Sequence, residues 1–138
     1  MKLKYKAMVL SCMDPRFQLP VFKFIKKKIL ISKHSSFTIA GAAVGVTHNK
    51  FKKWHQAFID NLAASIQLHK IEKLIVVNHE DCGAIKLAEN KKNYIEDEIH
   101  KNSFQKLKKV INKNFPKLKL EFYILRLDQK ILRVRSLR

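Results

Sequence analysis

Two short stretches hold residues able to do chemistry together: Ser11-Cys12-Met13-Asp14-Pro15-Arg16 and Asn78-His79-Glu80-Asp81-Cys82-Gly83. Each follows an apolar, strand-like run, Ala7-Met8-Val9-Leu10 in the first case and Leu74-Ile75-Val76-Val77 in the second. In an α/β domain, side chains just past the carboxyl ends of neighbouring parallel strands converge on one crevice. That placement brings Cys12, His79 and Cys82 together although the two cysteines lie 70 positions apart. Two thiolates and one imidazole suit zinc, and three protein ligands leave a fourth position for water. Taken alone, the two cysteines read equally well as small buried hydrophobes, and His79 as a hydrogen-bonded residue at a strand end. A structural disulfide is the weaker reading, because the composition gives no sign of secretion. Asp14 and Arg16, on the same loop as Cys12, favour a metal. They set a carboxylate near it and a guanidinium able to hold that carboxylate bidentately.

Cys12-Met13-Asp14-Pro15-Arg16 and His79-Glu80-Asp81-Cys82-Gly83 resemble the paired Cys-x-Asp-x-Arg and His-x-x-Cys-Gly motifs of beta-class carbonic anhydrases. Order, separation and strand context match as well as the letters. Ile39-Ala40-Gly41 stands where that family usually has Asn-Ala-Gly, and Gly83-Ala84-Ile85 continues as the family often does. Neither motif is specific alone; the pair on one short α/β pattern is. The resemblance implies reversible hydration of carbon dioxide to bicarbonate by a zinc lyase, with zinc-bound hydroxide as nucleophile. It implies one zinc per chain on Cys12, His79 and Cys82, with Asp14 and Arg16 as the catalytic dyad. Ala40, Gly41 and Gly83 would line the substrate pocket, and the family's habit, together with the aromatic stripe of the helix over 51–69, implies a homodimer or dimer of dimers built partly on that helix and the sheet edge. Asp81 could be an acceptor supporting the site or simply a solvated loop residue, and the latter is the favoured reading. The sequence departs from the family at Thr38-Ile39, where Arg-Asn is common, and at Asn78, where Gly is common. Nor is there, ahead of the first strand, the helical arm that wraps a partner subunit in many members. One alternative keeps the scaffold but hydrolyses another small linear molecule, such as carbon disulfide. Another, from a different class, is a non-catalytic zinc module that binds nucleic acid through its lysines.

The rest of the chain must supply elements that position these residues. The pattern predicts an α/β fold: a single three-layer domain over residues 1–138, with a mainly parallel central sheet of four strands, a C-terminal edge strand and helices on both faces. Strands are expected at 5–11, 36–39, 72–78 and 119–125, with the edge strand at 131–134 after a turn at Asp128-Gln129. Leu19, Phe22, Ile25 and Ile29 recur at helical spacing over 17–29, and Phe51, Trp54, Phe58, Leu62 and Ile66 do so over 51–69. Gly83 opens a helix packed through Ala84, Ile85, Leu87 and Ala88. Ile95, Ile99, Leu107, Val110 and Ile111 support another over 94–114, which Pro116 stops. Ala40-Gly41-Ala42-Ala43 permits close approach of backbone. Gly41 and Gly45 do not form the G-x-G-x-x-G turn of a dinucleotide site, which counts against a nicotinamide-dependent zinc enzyme. His48 is a candidate proton relay, whereas His55 and His69 need no catalytic role.

Composition bounds the partners. A 138-residue chain that is 46% hydrophobic suits one globular domain. The balance of 29 Lys+Arg against 11 Asp+Glu gives a net charge of +18. Only five of the basic residues are Arg, the lysines are scattered, Ile and Asn are abundant, and Gly numbers 3. That pattern suits coding drift in an AT-rich genome better than a nucleic-acid surface, so nucleic acid is not expected as a partner. The positive field would still gather an anion such as bicarbonate. No apolar run approaches a membrane span and no signal peptide is visible, so the expected location is cytoplasmic, with no membrane partner.

Overall fold

The two longest apolar runs become the inner strands of a five-stranded sheet. β1 (Ala7–Ser11) is buried at every position and β3 (Lys73–His79) at all but its first, as befits parallel strands covered on both faces. They pair with each other; β2 (Ser35–Thr38) adds beside β1 and β4 (Lys119–Leu125) beside β3, all parallel. β5 (Ile131–Val134) closes the edge antiparallel to β4. The order is β2-β1-β3-β4-β5. The chain therefore reverses direction across β1, and the crevice beyond the carboxyl ends of β1 and β3 is the switch point at which open α/β sheets bind ligands. The computed structural model describes residues 5–29, 33–90 and 93–135.

Among the described residues, five α-helices flank the sheet: α1 (Gln18–Lys27), α2 (Ala43–Thr47), α3 (Lys52–His69), α4 (Gly83–Glu89) and α5 (Glu96–Asn114). Strand alternation divides the core. On one face Met8, Leu10, Leu74, Val76, Phe122 and Ile124 meet α2, Phe58 and Leu62 of α3, Ile85 of α4, and Phe104, Leu107 and Ile111 of α5. On the other, Ala7, Val9, Ile75, Val77, Tyr123 and Leu125 meet Phe17 and Ile25. Each fully buried Leu, Ile or Phe contributes about 1.5–3 kcal/mol. Among the described residues, no helix is long and apolar enough to cross a membrane.

Three helices depart in part from the predicted faces. In α1, Ile25 is buried with Val21 and Phe24 beside it, whereas Leu19 and Phe22 are 59% and 50% exposed. The cause lies upstream: a 3-10 turn over Pro15–Phe17 drives Phe17 into the core, and the stripe Phe17, Val21, Phe24, Ile25 takes its phase from there. In α4, Ala84 and Ile85 are buried but Leu87 is exposed. In α5 the buried positions are His100, Ser103, Phe104, Leu107 and Ile111, leaving Ile95 and Val110 exposed. α3 keeps its predicted centre, Phe58 and Leu62. Trp54, at the open end, stacks on Phe51 with ring centroids 4.6 Å apart.

The helix α2 was not foreseen. All five of its residues are buried, and they follow a turn in which Gly41 (φ +82°) and Ala42 (φ +50°) take positive φ. A Cβ on Gly41 would lie 2.9 Å from the Cβ of Ala84, and one on Gly45 would lie 2.0 Å from the carbonyl oxygen of Ala40. Backbone packs on backbone here, so the small residues are a steric requirement. Gly83 differs: a Cβ there meets nothing within 4 Å. Gly45→Ala should therefore cost more than about 2 kcal/mol, while Gly83→Ala should stay within about 0.5 kcal/mol. Thermal denaturation of the two variants checks the pair, and equal effects would contradict this packing.

Candidate metal centre

β1 and β3 deliver the first two groups. Their register sets Ser11 against Val77, so Cys12 and His79 leave adjacent strands side by side. Cys82 follows on the tight loop between β3 and α4, where Asp81 adopts a left-handed φ of +57°. One ligand atom from each of Cys12, His79 and Cys82 lies within 4.8 Å of the others, and all three residues are buried. The sequence expectation that these residues share one crevice holds.

The donor chemistry fits a metal. Nδ1 of His79 donates to the carbonyl oxygen of Glu80 at 2.6 Å, which fixes the tautomer and leaves a lone pair on Nε2. That Nε2 is buried and has no hydrogen-bond partner, an arrangement that costs free energy unless something electrophilic meets it. The imidazole is clamped against Phe17, with ring centroids 4.3 Å apart. Burial alone would lower the His79 pKa, but the Cys12 sulfur, the Glu80 carbonyl and the Asp14 charge outweigh it and raise the value.

The sulfurs form a coupled pair. Cys12 is held well below the usual thiol range, chiefly because Cys82 donates its S–H to it. His79 and the backbone N–H groups of Gly41 and Asp14 help, against the opposing effect of burial. The Gly41 N–H reaches the Cys12 sulfur at 3.3 Å. Cys82 is pushed up by sharing its proton with Cys12, and by burial. A cation binding there would displace the shared proton, since the thiolate is the ligand.

Beside the three donors, Arg16 grips Asp14. Its Nε donates to Oδ1 at 3.1 Å and a terminal nitrogen to Oδ2 at 2.8 Å, the bidentate geometry expected of that pair. Oδ2 of Asp14 stands 3.8 Å from Nε2 of His79. Asp81, favoured as a solvated loop residue, has its side chain 41% exposed yet is also tied in: its carboxylate accepts from Arg16 at 3.1 Å and from Lys86 at 2.7 Å, and its carbonyl accepts from Arg16 at 2.9 Å. Of the expected wall residues, Ala40 and Gly41 form the turn leading to α2, and Gly83 is exposed at the start of α4. His48 serves elsewhere, accepting from the Lys50 N–H and facing Glu89 at 3.4 Å.

Three supporting residues carry no recognisable sequence signal. Gln18 donates to the carbonyls of Cys12 and Asp14 at 2.9 and 2.7 Å. Glu80 accepts from the Leu127 N–H. Glu96 accepts from the backbone N–H of both Asp81 and Cys82, at 3.2 and 3.0 Å. Asn78, the departure noted in the sequence, is 1% exposed. Its carbonyl accepts from Ala43 N–H, and its amide donates to His100 Nδ1 and Ser103 Oγ. A cavity of about 680 Å³ lined by Ile66, Ile71, Phe115 and Leu118 lies at the amino ends of β3 and β4, away from these groups; chemistry rather than volume marks the site.

Comparison with known proteins places this geometry in a family. Residues 2–131 match the sequence profile of a family described as "Putative carbonic anhydrase". An uncharacterized protein of Rickettsia bellii is 28% identical over 125 residues, covering 88% of this chain and 76% of that protein. Among solved structures, a carbonic anhydrase from Glaciozyma antarctica superposes with a TM-score of 0.59 at 16% identity, covering 98% of this chain and 85% of that one. Tetrameric beta-carbonic anhydrases from Sordaria macrospora give a TM-score of 0.61 at 10% identity, covering 97% and 82%. The fold is thus that of the beta class.

The Asp14 pKa is lowered by the hydrogen bonds from Arg16, against a smaller effect of burial. A depressed carboxyl pKa stabilises the fold above the ordinary carboxylate range, and that contribution is lost as pH falls through the depressed value. Across neutral pH the pair therefore stays ionised. Arg16→Ala should raise the Asp14 midpoint toward about 3.9, read from the carboxyl carbon resonance in an NMR titration; an unmoved midpoint would contradict the pairing.

Proposed function

Because the chain belongs to the carbonic anhydrase family matched over residues 2–131, we propose that it catalyses the reversible hydration of carbon dioxide to bicarbonate, with one zinc ion per chain held by Cys12, His79 and Cys82. The observation that carries this reading is the buried, unpartnered Nε2 of His79 facing two sulfurs, with a held carboxylate 3.8 Å away. When bound, zinc supplies the Lewis acidity that makes a water molecule nucleophilic near neutral pH.

The protein's own residues do the rest. Asp14 stays ionised and accepts a hydrogen bond from the attacking water, which aims a lone pair at the substrate carbon. Arg16 keeps that carboxylate turned toward the pocket. Ala40, Gly41 and Gly83 line the pocket as small walls around a linear substrate; Gly41 also holds the Cys12 sulfur through its N–H. Hydration adds one water to one carbon dioxide and yields bicarbonate and a proton, which leaves to solvent. Since Asp14 does not titrate near neutrality, a rise of activity above pH 7 belongs to the water and not to this carboxyl. Two free cysteines suit the reducing cytoplasm.

The active assembly in this reading is a homodimer or a dimer of dimers. α1 is the helix packed over the second sheet face, and its Leu19 and Phe22 stay exposed, as does Leu132 on the edge strand. The Sordaria macrospora proteins of the same fold are tetrameric.

Stopped-flow carbon dioxide hydration, with zinc content and sedimentation measured on the same sample, tests the proposal. The parent should turn over with about one zinc per chain as a dimer or larger. Asp14→Ala should keep the zinc but lose roughly two to three orders of magnitude in turnover; Cys82→Ser should lose both. A zinc-loaded parent with no hydration activity would overturn the catalytic reading.

A further inference from the structure

The loop that carries Cys82 is held from behind by a carboxylate that neither motif contains. Glu96 is the first residue of α5, and its side chain is 28% exposed. Its two oxygens accept from consecutive backbone N–H groups, Oε2 from Asp81 at 3.2 Å and Oε1 from Cys82 at 3.0 Å. These donors sit where the chain needs restraint, since Asp81 has positive φ and Cys82 must aim its sulfur at Cys12 and His79. Charge-assisted bonds to backbone N–H are about twice as strong as neutral ones.

A second observation points to the same carboxylate. His100, one turn along α5, is fully buried, and its Nε2 has no hydrogen-bond partner. Its tautomer follows from its neighbours. The Ala43 N–H requires the oxygen of Asn78, so Asn78 turns its amide nitrogen to His100 Nδ1 at 2.9 Å and to Ser103 Oγ at 3.2 Å. Nδ1 must then accept, which puts the proton on Nε2 in the neutral ring. Burial favours that neutral form. The proton on Nε2 faces Oε1 of Glu96 across 4.0 Å, beyond hydrogen-bond range but with no other acceptor in reach. Asn78 thus holds His100 by a hydrogen bond, and His100 stands next to Glu96 behind the ligand loop without a bond to it.

We propose that Glu96, backed by His100 and Asn78, is a positioning residue that presets the Asp81–Cys82 loop for metal capture. This rests on the reading of Cys12, His79 and Cys82 as metal ligands but not on turnover. Without Glu96 the N–H groups of Asp81 and Cys82 turn to water, the loop samples other conformations, and ordering it must be charged against binding.

The test is zinc affinity of the full chain by chelator competition, with the absorption spectrum of the cobalt(II)-substituted protein as a report on sulfur geometry. Glu96→Ala should bind zinc 10–100-fold more weakly and shift the sulfur-to-cobalt charge-transfer bands. Glu96→Gln keeps one acceptor oxygen and should fall between parent and Glu96→Ala. Zinc affinity within twofold of the parent in both variants, with the parent's cobalt spectrum, would overturn the proposal. If Glu96→Ala does not fold, Glu96→Gln decides: a loss greater than twofold supports it and a smaller one overturns it. A parent chain that takes no zinc overturns this inference together with the ligand assignment. A parent that binds zinc, beside variants that bind equally well, removes the inference alone.

Discussion

The parallel pairing of β1 with β3 is the constraint on which the site depends. Its register places Ser11 opposite Val77, and the residues that follow inherit that alignment as they leave the sheet. A one-residue slip would turn every side chain of the slipped strand to the other face. If β1 slipped, Leu10 would leave one core and Val9 the other, and Cys12 would no longer stand beside His79. The burial that stabilises the sheet therefore also sets the geometry of the donors.

The donors themselves work against stability. A buried imidazole nitrogen without a partner and two sulfurs sharing one proton are costly in an apolar setting. The surroundings over-determine their positions: Phe17 against the His79 ring, the Gly41 N–H on Cys12, Gln18 on the Cys12 and Asp14 carbonyls, and Glu96 on the Cys82 loop. Each brace comes from a different element, and the small residues of α2 let that helix approach closely enough to contribute. The Asp14–Arg16–Asp81–Lys86 chain of charges runs outward from this centre to solvent. Its exposed pairs orient groups more than they stabilise the fold.

Much of this was readable before any coordinates. Cys12 and His79 follow unmistakable buried strands, and the β-strand limits at Lys119–Leu125 and Ile131–Val134 coincide with the pattern. What escaped did so for physical reasons. The phase of α1 was hidden because periodicity alone cannot say which of two apolar sets, Leu19 and Phe22 or Val21 and Phe24, meets the sheet; the 3-10 turn before it decides. α2 is too short for periodicity to register. His100 and Ser103 were missed on α5 because a buried polar residue reads as exposed until its partner, here Asn78, is known. Glu96 is the hardest case. Backbone N–H groups donate to any carboxylate that reaches them, so nothing in the letters 14 and 15 positions away distinguishes it from its acidic neighbours Asp97 and Glu98. Asp81 is the converse, a loop acid whose partner Arg16, 65 positions away, appears only once β1 and β3 lie side by side.

X-ray absorption at the zinc edge of the purified protein tests most directly whether Cys12, His79 and Cys82 form one metal centre. The account predicts two sulfur scatterers at about 2.3 Å and nitrogen or oxygen scatterers at about 2.0 Å per zinc, with one sulfur lost in Cys82→Ser for whatever metal remains. A first shell of nitrogen and oxygen alone in the parent protein would contradict it.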